Sequence, residues 1–152
     1  MGELPPEEGE TYYENARAKA RFGHALAPEA WVLGEDSGIE VAALDGGPGI
    51  HSARWSDDWI GELLHRLEDV GDRRARYVCE LVCISPDGAE LRGTGVLDGR
   101  IAHEPRGDEG FGYDPIFVPE GEQRTVAELG DAWKRANSHR ARAARDLLGT
   151  AY

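Results

Sequence analysis

Two adjacent carboxylates in Gly34-Glu35-Asp36-Ser37-Gly38 carry the strongest chemical signal in this chain of 152 residues. Hard divalent cations prefer oxygen ligands, and a carboxylate beside a bound water can take its proton. Asp36 is therefore the candidate general base. Apolar Trp31-Val32-Leu33 precedes the stretch, and Ile39, Val41, Ala43 and Leu44 follow it. That pattern predicts a strand, an acidic turn and a second strand, with both carboxylates on one rigid rim. Asp and Ser in a glycine-bounded turn also bond their own backbone without doing chemistry, and the stretch alone does not choose between the two.

Other residues of chemical interest lie far away in the chain. Lys134, Arg135, His139, Arg140, Arg142 and Arg145 crowd into one C-terminal segment, where they could meet an anion. Gly107-Asp108-Glu109-Gly110-Phe111-Gly112-Tyr113-Asp114-Pro115 combines a flexible backbone with aromatic rings suited to closing over a flat ligand. The aromatic rings there also suit ordinary core packing.

Regular elements must position these groups. Thr11-Tyr12-Tyr13-Glu14 has capping-box spacing, and alanine-rich sequence follows until Pro28, predicting a helix over about 11–27. Glu14 then has a structural role available at the helix start. Ile60, Leu63, Leu64 and Leu67 recur at helical spacing between Asp57 and Val70. Arg76–Ile84 reads as a strand, Pro86-Asp87-Gly88 as a turn and Ala89–Ala102 as the return of a hairpin. Ile116-Phe117-Val118 is a short strand, and a last helix runs over 131–148 with its basic side exposed. Helices alternating with strands early, then a hairpin, imply one α/β domain over 1–152 with a mixed sheet.

Composition narrows the class. A formal charge of −12 opposes general binding to nucleic acid or anionic membrane. No apolar run approaches the roughly 20 residues of a membrane span. The acidic, proline-bearing start lacks the basic and apolar segments of a secretory signal, so a cytoplasmic location is expected. Cys79 and Cys83, four apart on a strand, would lie about 13 Å from each other, too far for a disulfide. Both read as buried small residues.

Taken together, Tyr13-Glu14-Asn15-Ala16 with Lys19, Glu35-Asp36-Ser37-Gly38, Gly46-Gly47-Pro48-Gly49 through Ser52-Ala53-Arg54-Trp55, Phe111-Gly112-Tyr113-Asp114-Pro115-Ile116-Phe117 and Ser138-His139-Arg140 resemble one family. It is the inosine triphosphate pyrophosphatase family, whose members clear dITP, ITP and XTP. The resemblance implies an elongated α/β fold around a long mixed sheet, a homodimer, and Mg²⁺-dependent release of pyrophosphate and a nucleoside monophosphate. Carried over by position, it makes Asp36 the general base and a Mg²⁺ ligand, Glu14 a second Mg²⁺ ligand, and Lys19, Ser37 and Arg54 phosphate-side contacts. Phe111, Gly112, Tyr113 and Asp114 would surround the base, and Lys134, His139 and Arg140 would complete substrate recognition.

The chain also departs from that pattern. Family members open with a strand and a Thr/Ser-x-Asn-x-x-Lys loop that cradles phosphates, and nothing before Thr11 resembles either, so the match reads as N-terminally shortened. Glu35 stands where many members have Asp. A catalytically weak nucleotide-binding or interaction relic of the same fold is the alternative function.

Overall fold

The computed structural model describes residues 9–54 and 58–151, positions 53, 54, 150 and 151 by backbone alone. Helix α1 (Tyr12–Leu26) starts where predicted, because the Thr11 hydroxyl accepts from the Glu14 N–H at 3.1 Å. Five strands follow: β1 (Val32–Val41), β2 (Gly47–Pro48), β3 (Arg74–Ile84), β4 (Glu90–Ile101) and β5 (Phe117–Pro119). They form one sheet in the order β2-β1-β3-β4-β5, and every pairing is antiparallel.

The α/β class stands, but the mixed sheet expected from alternating elements does not arise among the described residues. Val41 pairs with both Gly47 and Ala75, so the chain turns back at this end of β1 into the edge strand β2 and, after helix α2 (Trp59–Arg66), enters β3 at the same end. A parallel neighbour needs a crossover to the opposite end. Helix α2 is shorter than the predicted 57–70, and Asp57 lies outside the described residues. Since β2 pairs only with Glu40 and Val41, Val32–Ile39 has a strand neighbour on one side only among those residues.

The expected acidic turn at 34–38 is also corrected: β1 runs through it without interruption. Its glycines serve close approach rather than turning. A Cβ on Gly34 would lie 2.2 Å from the Ala16 carbonyl oxygen of α1, and one on Gly38 the same distance from the Gly49 carbonyl oxygen. Ala16 and Ala20 pack with Val82 and Ile84 on that face of the sheet.

The opposite face carries the larger core, including Ile39, Leu63, Leu67, Tyr77, Leu97, Ile101 and Phe117. The predicted last helix is broken into α4 (Asp131–Asn137) and α5 (His139–Ala151), preceded by a short α3 (Val126–Leu129). Ser138 makes the break: its backbone is extended, with ψ 163°, and its hydroxyl accepts from the Ala141 N–H at 3.1 Å to start the new helix. Helix α3 is opened by a capping box between Thr125 and Glu128. Among the described residues no helix is long and apolar enough to cross a membrane.

Helix α5 packs on Cys79 and Leu81 through Ala143 and Leu147. Gly93 and Gly95 let its backbone approach β4: a Cβ on Gly95 would sit 1.9 Å from the His139 carbonyl oxygen and 2.4 Å from the Ala143 nitrogen. Both obstacles are backbone, so Gly95→Ala is expected to push α5 outward and cost about 2–3 kcal/mol in urea denaturation, the upper range for overpacking. A loss under about 0.5 kcal/mol would show that this seam opens freely.

Candidate active site

Side chains alternate along a strand, so Glu35 and Asp36 face opposite sides of the sheet. The two-carboxylate rim expected from the sequence is therefore absent. Asp36, 6% exposed, points toward α1. Its Oδ2 accepts from the Asn15 amide at 3.2 Å, and its Oδ1 lies 3.7 Å from Lys19 Nζ. The same ammonium donates to the Glu35 carbonyl oxygen at 3.1 Å. Asn15 and Lys19 are four apart on α1, hence on one helix face. That spacing was a readable signal, but only Lys19 was singled out as a site residue.

Glu80 was missed as well. It is directly opposite Asp36 in the β1–β3 register and is 5% exposed. Arg92 grips its carboxylate with two hydrogen bonds, 3.0 and 2.9 Å, and the Thr94 hydroxyl adds a third at 2.8 Å. The buried charge is thus paired and hydrogen-bonded, as its burial demands. A lone Glu inside the apolar run Val78–Ile84 was the sequence signal.

Glu14 reaches past the capping-box partner, the Thr11 N–H, to the residue before it. Its exposed carboxylate accepts from the Glu10 N–H at 2.9 Å. Among the described residues, no group of three or more His, Cys, Asp or Glu side chains is placed to hold a metal ion. The side chain of Arg54, an expected phosphate contact, lies outside the described residues.

On the other face, a cavity of about 170 Å³ gathers eight of the expected residues: Ser37, Phe111, Gly112, Tyr113, Asp114, Lys134, His139 and Arg140. Ile39, Ser52, Trp59 and Tyr77 also line it and were not anticipated. Asp114, 3% exposed, is the hub. It accepts from the Tyr77 hydroxyl at 3.0 Å, Lys134 Nζ at 2.6 Å and the Phe111 N–H at 3.1 Å. Lys134 Nζ also sits 3.8 Å over the Phe111 ring, which is 65% exposed at the mouth. Ser52 fastens the floor, its oxygen accepting from the Ile39 N–H at 2.9 Å.

The predicted basic cluster divides rather than forming one exposed face. Lys134 and Arg140 turn to the cavity, while Arg142 and Arg145 cap helix and strand carbonyls of Asn137, Val96 and Ala136. Arg140 is held by Glu35 through two hydrogen bonds, 2.9 and 2.7 Å. Burial works to raise the Glu35 carboxyl, but Arg140's hydrogen bonds and charge, with help from Ser37, hold it below its ordinary value. Cys79 and Cys83 are free thiols; Cys79 is buried and its pKa is pushed up to about 12 mainly by that burial, whereas Cys83 is only half-buried.

The chain is also similar to known proteins. The Ham1 family pattern matches residues 1–150. The chain belongs to the Ham1 family. A dITP/XTP pyrophosphatase of Mycobacterium tuberculosis is 50% identical over 151 residues, spanning 94% of this chain and 73% of that protein. One from Nocardia farcinica is 48% identical over the same shares. A Ham1 protein structure from Coxiella burnetii superposes with a TM-score of 0.87 at 39% identity, covering 96% of this chain and 80% of that one. The resemblance carried by the blocks around Asp36 and His139 is therefore a family relationship.

His139 is peculiar within this Ham1 cavity. Its ring stacks on Tyr77 at 4.7 Å, and its Nδ1 is buried without a hydrogen-bond partner. Burial, reinforced by the Arg140 charge, pulls its pKa down to about 4. An unfolded His titrates near 6.5, so between about pH 6.5 and 4 the unfolded chain binds a proton that the folded one refuses. Stability is expected to rise with pH across that window, by up to about 3 kcal/mol. Urea denaturation at pH 5 and 7 should show His139→Gln losing that part of the slope, and an unchanged slope would contradict a buried neutral imidazole.

Proposed function

We propose that this protein hydrolyses non-standard purine nucleoside triphosphates, dITP, ITP and XTP, to the monophosphate and pyrophosphate. The observation that carries the reading is the convergence of Lys134, Arg140 and His139 on an aromatic-lined cavity beside the strand that bears Asp36. The relatives at 43–50% identity are dITP/XTP pyrophosphatases. The base would occupy the cavity, and the polyphosphate would pass around the edge of β1 that has no strand neighbour among the described residues, to the face that holds Asp36 and Lys19.

The donor set suits Mg²⁺, which keeps several waters and is usually bound by one or two carboxylates together with substrate phosphates. Asp36 would hold it, with Glu14 as second ligand; when bound it spreads the polyphosphate charge. Asp36, oriented by Asn15, takes the proton from the water that attacks the α-phosphorus. A new P–O bond forms, the α–β bridging bond breaks and pyrophosphate leaves. Lys19 balances charge beside the reacting centre, and Arg54 is proposed as a further phosphate contact; Ser37, which lines the cavity on the other face, would meet the base rather than the phosphates that the resemblance implied.

Base choice follows from hydrogen-bond direction. Hypoxanthine and xanthine offer an acceptor at position 6 and a donor at position 1, the reverse of adenine, so fixed donors leave adenine's partners unpaired. With Mg²⁺ present, kcat/KM for ITP and XTP is expected to exceed that for ATP by more than about tenfold, and His139→Ala should narrow the gap. Equal values for ITP, XTP and ATP would indicate a general nucleotide phosphatase instead. The reading includes a single domain acting as a cytoplasmic homodimer, which sedimentation would test for assembly.

A further inference from the structure

We infer that Glu35 is a specificity-determining residue: acting through Arg140 and Ser37, it sets the pattern of hydrogen-bond donor and acceptor that the cavity presents to a purine. The inference rests on the function proposed above and extends it to a residue outside the cavity lining.

Glu35 lies on β1 two residues before Ser37 and on the same face. Its Oε2 accepts from Arg140 Nε at 2.9 Å, and its Oε1 accepts from Arg140 Nη2 at 2.7 Å and from the Ser37 hydroxyl at 3.1 Å. One half-buried carboxylate thus commits one edge of the guanidinium and the only proton of the hydroxyl. What remains is fixed in sense. Arg140 keeps the Nη1 edge, which can only donate, and Ser37 keeps lone pairs, which can only accept. Both residues line the cavity.

A donor beside an acceptor matches the O6 and N1–H of a 6-oxo purine. Adenine would set its 6-amino group against a donor and its N1 against an acceptor. A guanidinium has only donors, but one free to shift could move them to adenine's N1, and a serine free to turn its hydroxyl could donate there too. Glu35 removes that freedom, because a bidentate ion pair holds the guanidinium plane and a committed hydroxyl cannot reverse. Neither Asp36 nor Lys134 does this, since Asp36 faces α1 and Lys134 is tied to Asp114.

The test compares kcat/KM for ITP with that for ATP in wild type, Glu35→Gln and Glu35→Asp, together with calorimetric binding of IMP and AMP, which needs no turnover. In Glu35→Gln one carboxylate oxygen becomes an amide nitrogen that cannot accept, so the pair with Arg140 loses its charge and at least one hydrogen bond, and the ITP-to-ATP preference is expected to fall by about tenfold or more. Glu35→Asp, which keeps the charge, should retain it within about threefold. A loss of stability alone lowers both substrates together and leaves the ratio unmoved. In a double-mutant cycle with Arg140→Lys, the two changes should not add. If Glu35→Gln keeps the wild-type ratio within twofold in both rate and binding, Glu35 is a structural strut and the inference is overturned. If wild type itself shows no preference for ITP over ATP or IMP over AMP, the proposed function fails first.

Discussion

Asp36→Asn is expected to lower Mg²⁺-dependent pyrophosphate release from ITP by about 10²- to 10⁴-fold, the usual loss when a general base is removed. The fold should survive. An asparagine keeps the shape of the buried side chain, and its amide oxygen can still accept from Asn15, as the Asp36 carboxylate does at 3.2 Å. What it loses is the capacity to take a proton and the negative charge beside Lys19. Circular dichroism and thermal melting should therefore match wild type within a few degrees while the rate collapses. Activity within threefold of wild type would remove Asp36 from the mechanism and turn attention to Glu80, which faces it across the register.

The second large effect is on stability. Asp114→Ala is expected to cost about 3–5 kcal/mol, because it strips the counter-charge from a lysine whose side chain is 16% exposed and leaves Tyr77 and Phe111 donors unanswered. For a domain of this size that corresponds to a Tm fall of roughly 10 °C. Purine binding should be lost with it, since Lys134, Phe111 and Tyr77 all take their positions from this one carboxylate. Replacing Lys134 as well, by Met, is expected to recover part of the stability, because no charge is then left buried and unpaired. A loss below about 1 kcal/mol in Asp114→Ala would mean that solvent reaches Lys134 and that the hub does not organise the loop.

Much of this could be read from residue order. Thr11 and Pro28 bracket α1, the two apolar runs joined by Pro86-Asp87-Gly88 became the β3–β4 hairpin, and the separated blocks around Asp36, Phe111 and His139 pointed to one nucleotide-hydrolysing family. These signals are local: caps, turns and short motifs depend on neighbours a few residues away. The direction in which adjacent groups point was decided elsewhere. Gly34 and Gly38 punctuate a chain as turn residues do, and only packing of α1 and the Gly49 loop against them reveals an unbroken strand. Once the strand is unbroken, Glu35 and Asp36 must part, one to Arg140 from residue 140 of the chain and the other to Asn15 and Lys19. Likewise Glu80 became a buried neighbour of Asp36 through strand register, and Tyr77 met Asp114 across 37 residues of sequence. Side-chain chemistry is local to the sequence, but burial and partnership depend on contacts between distant segments, and those exist only once the sheet has closed around them.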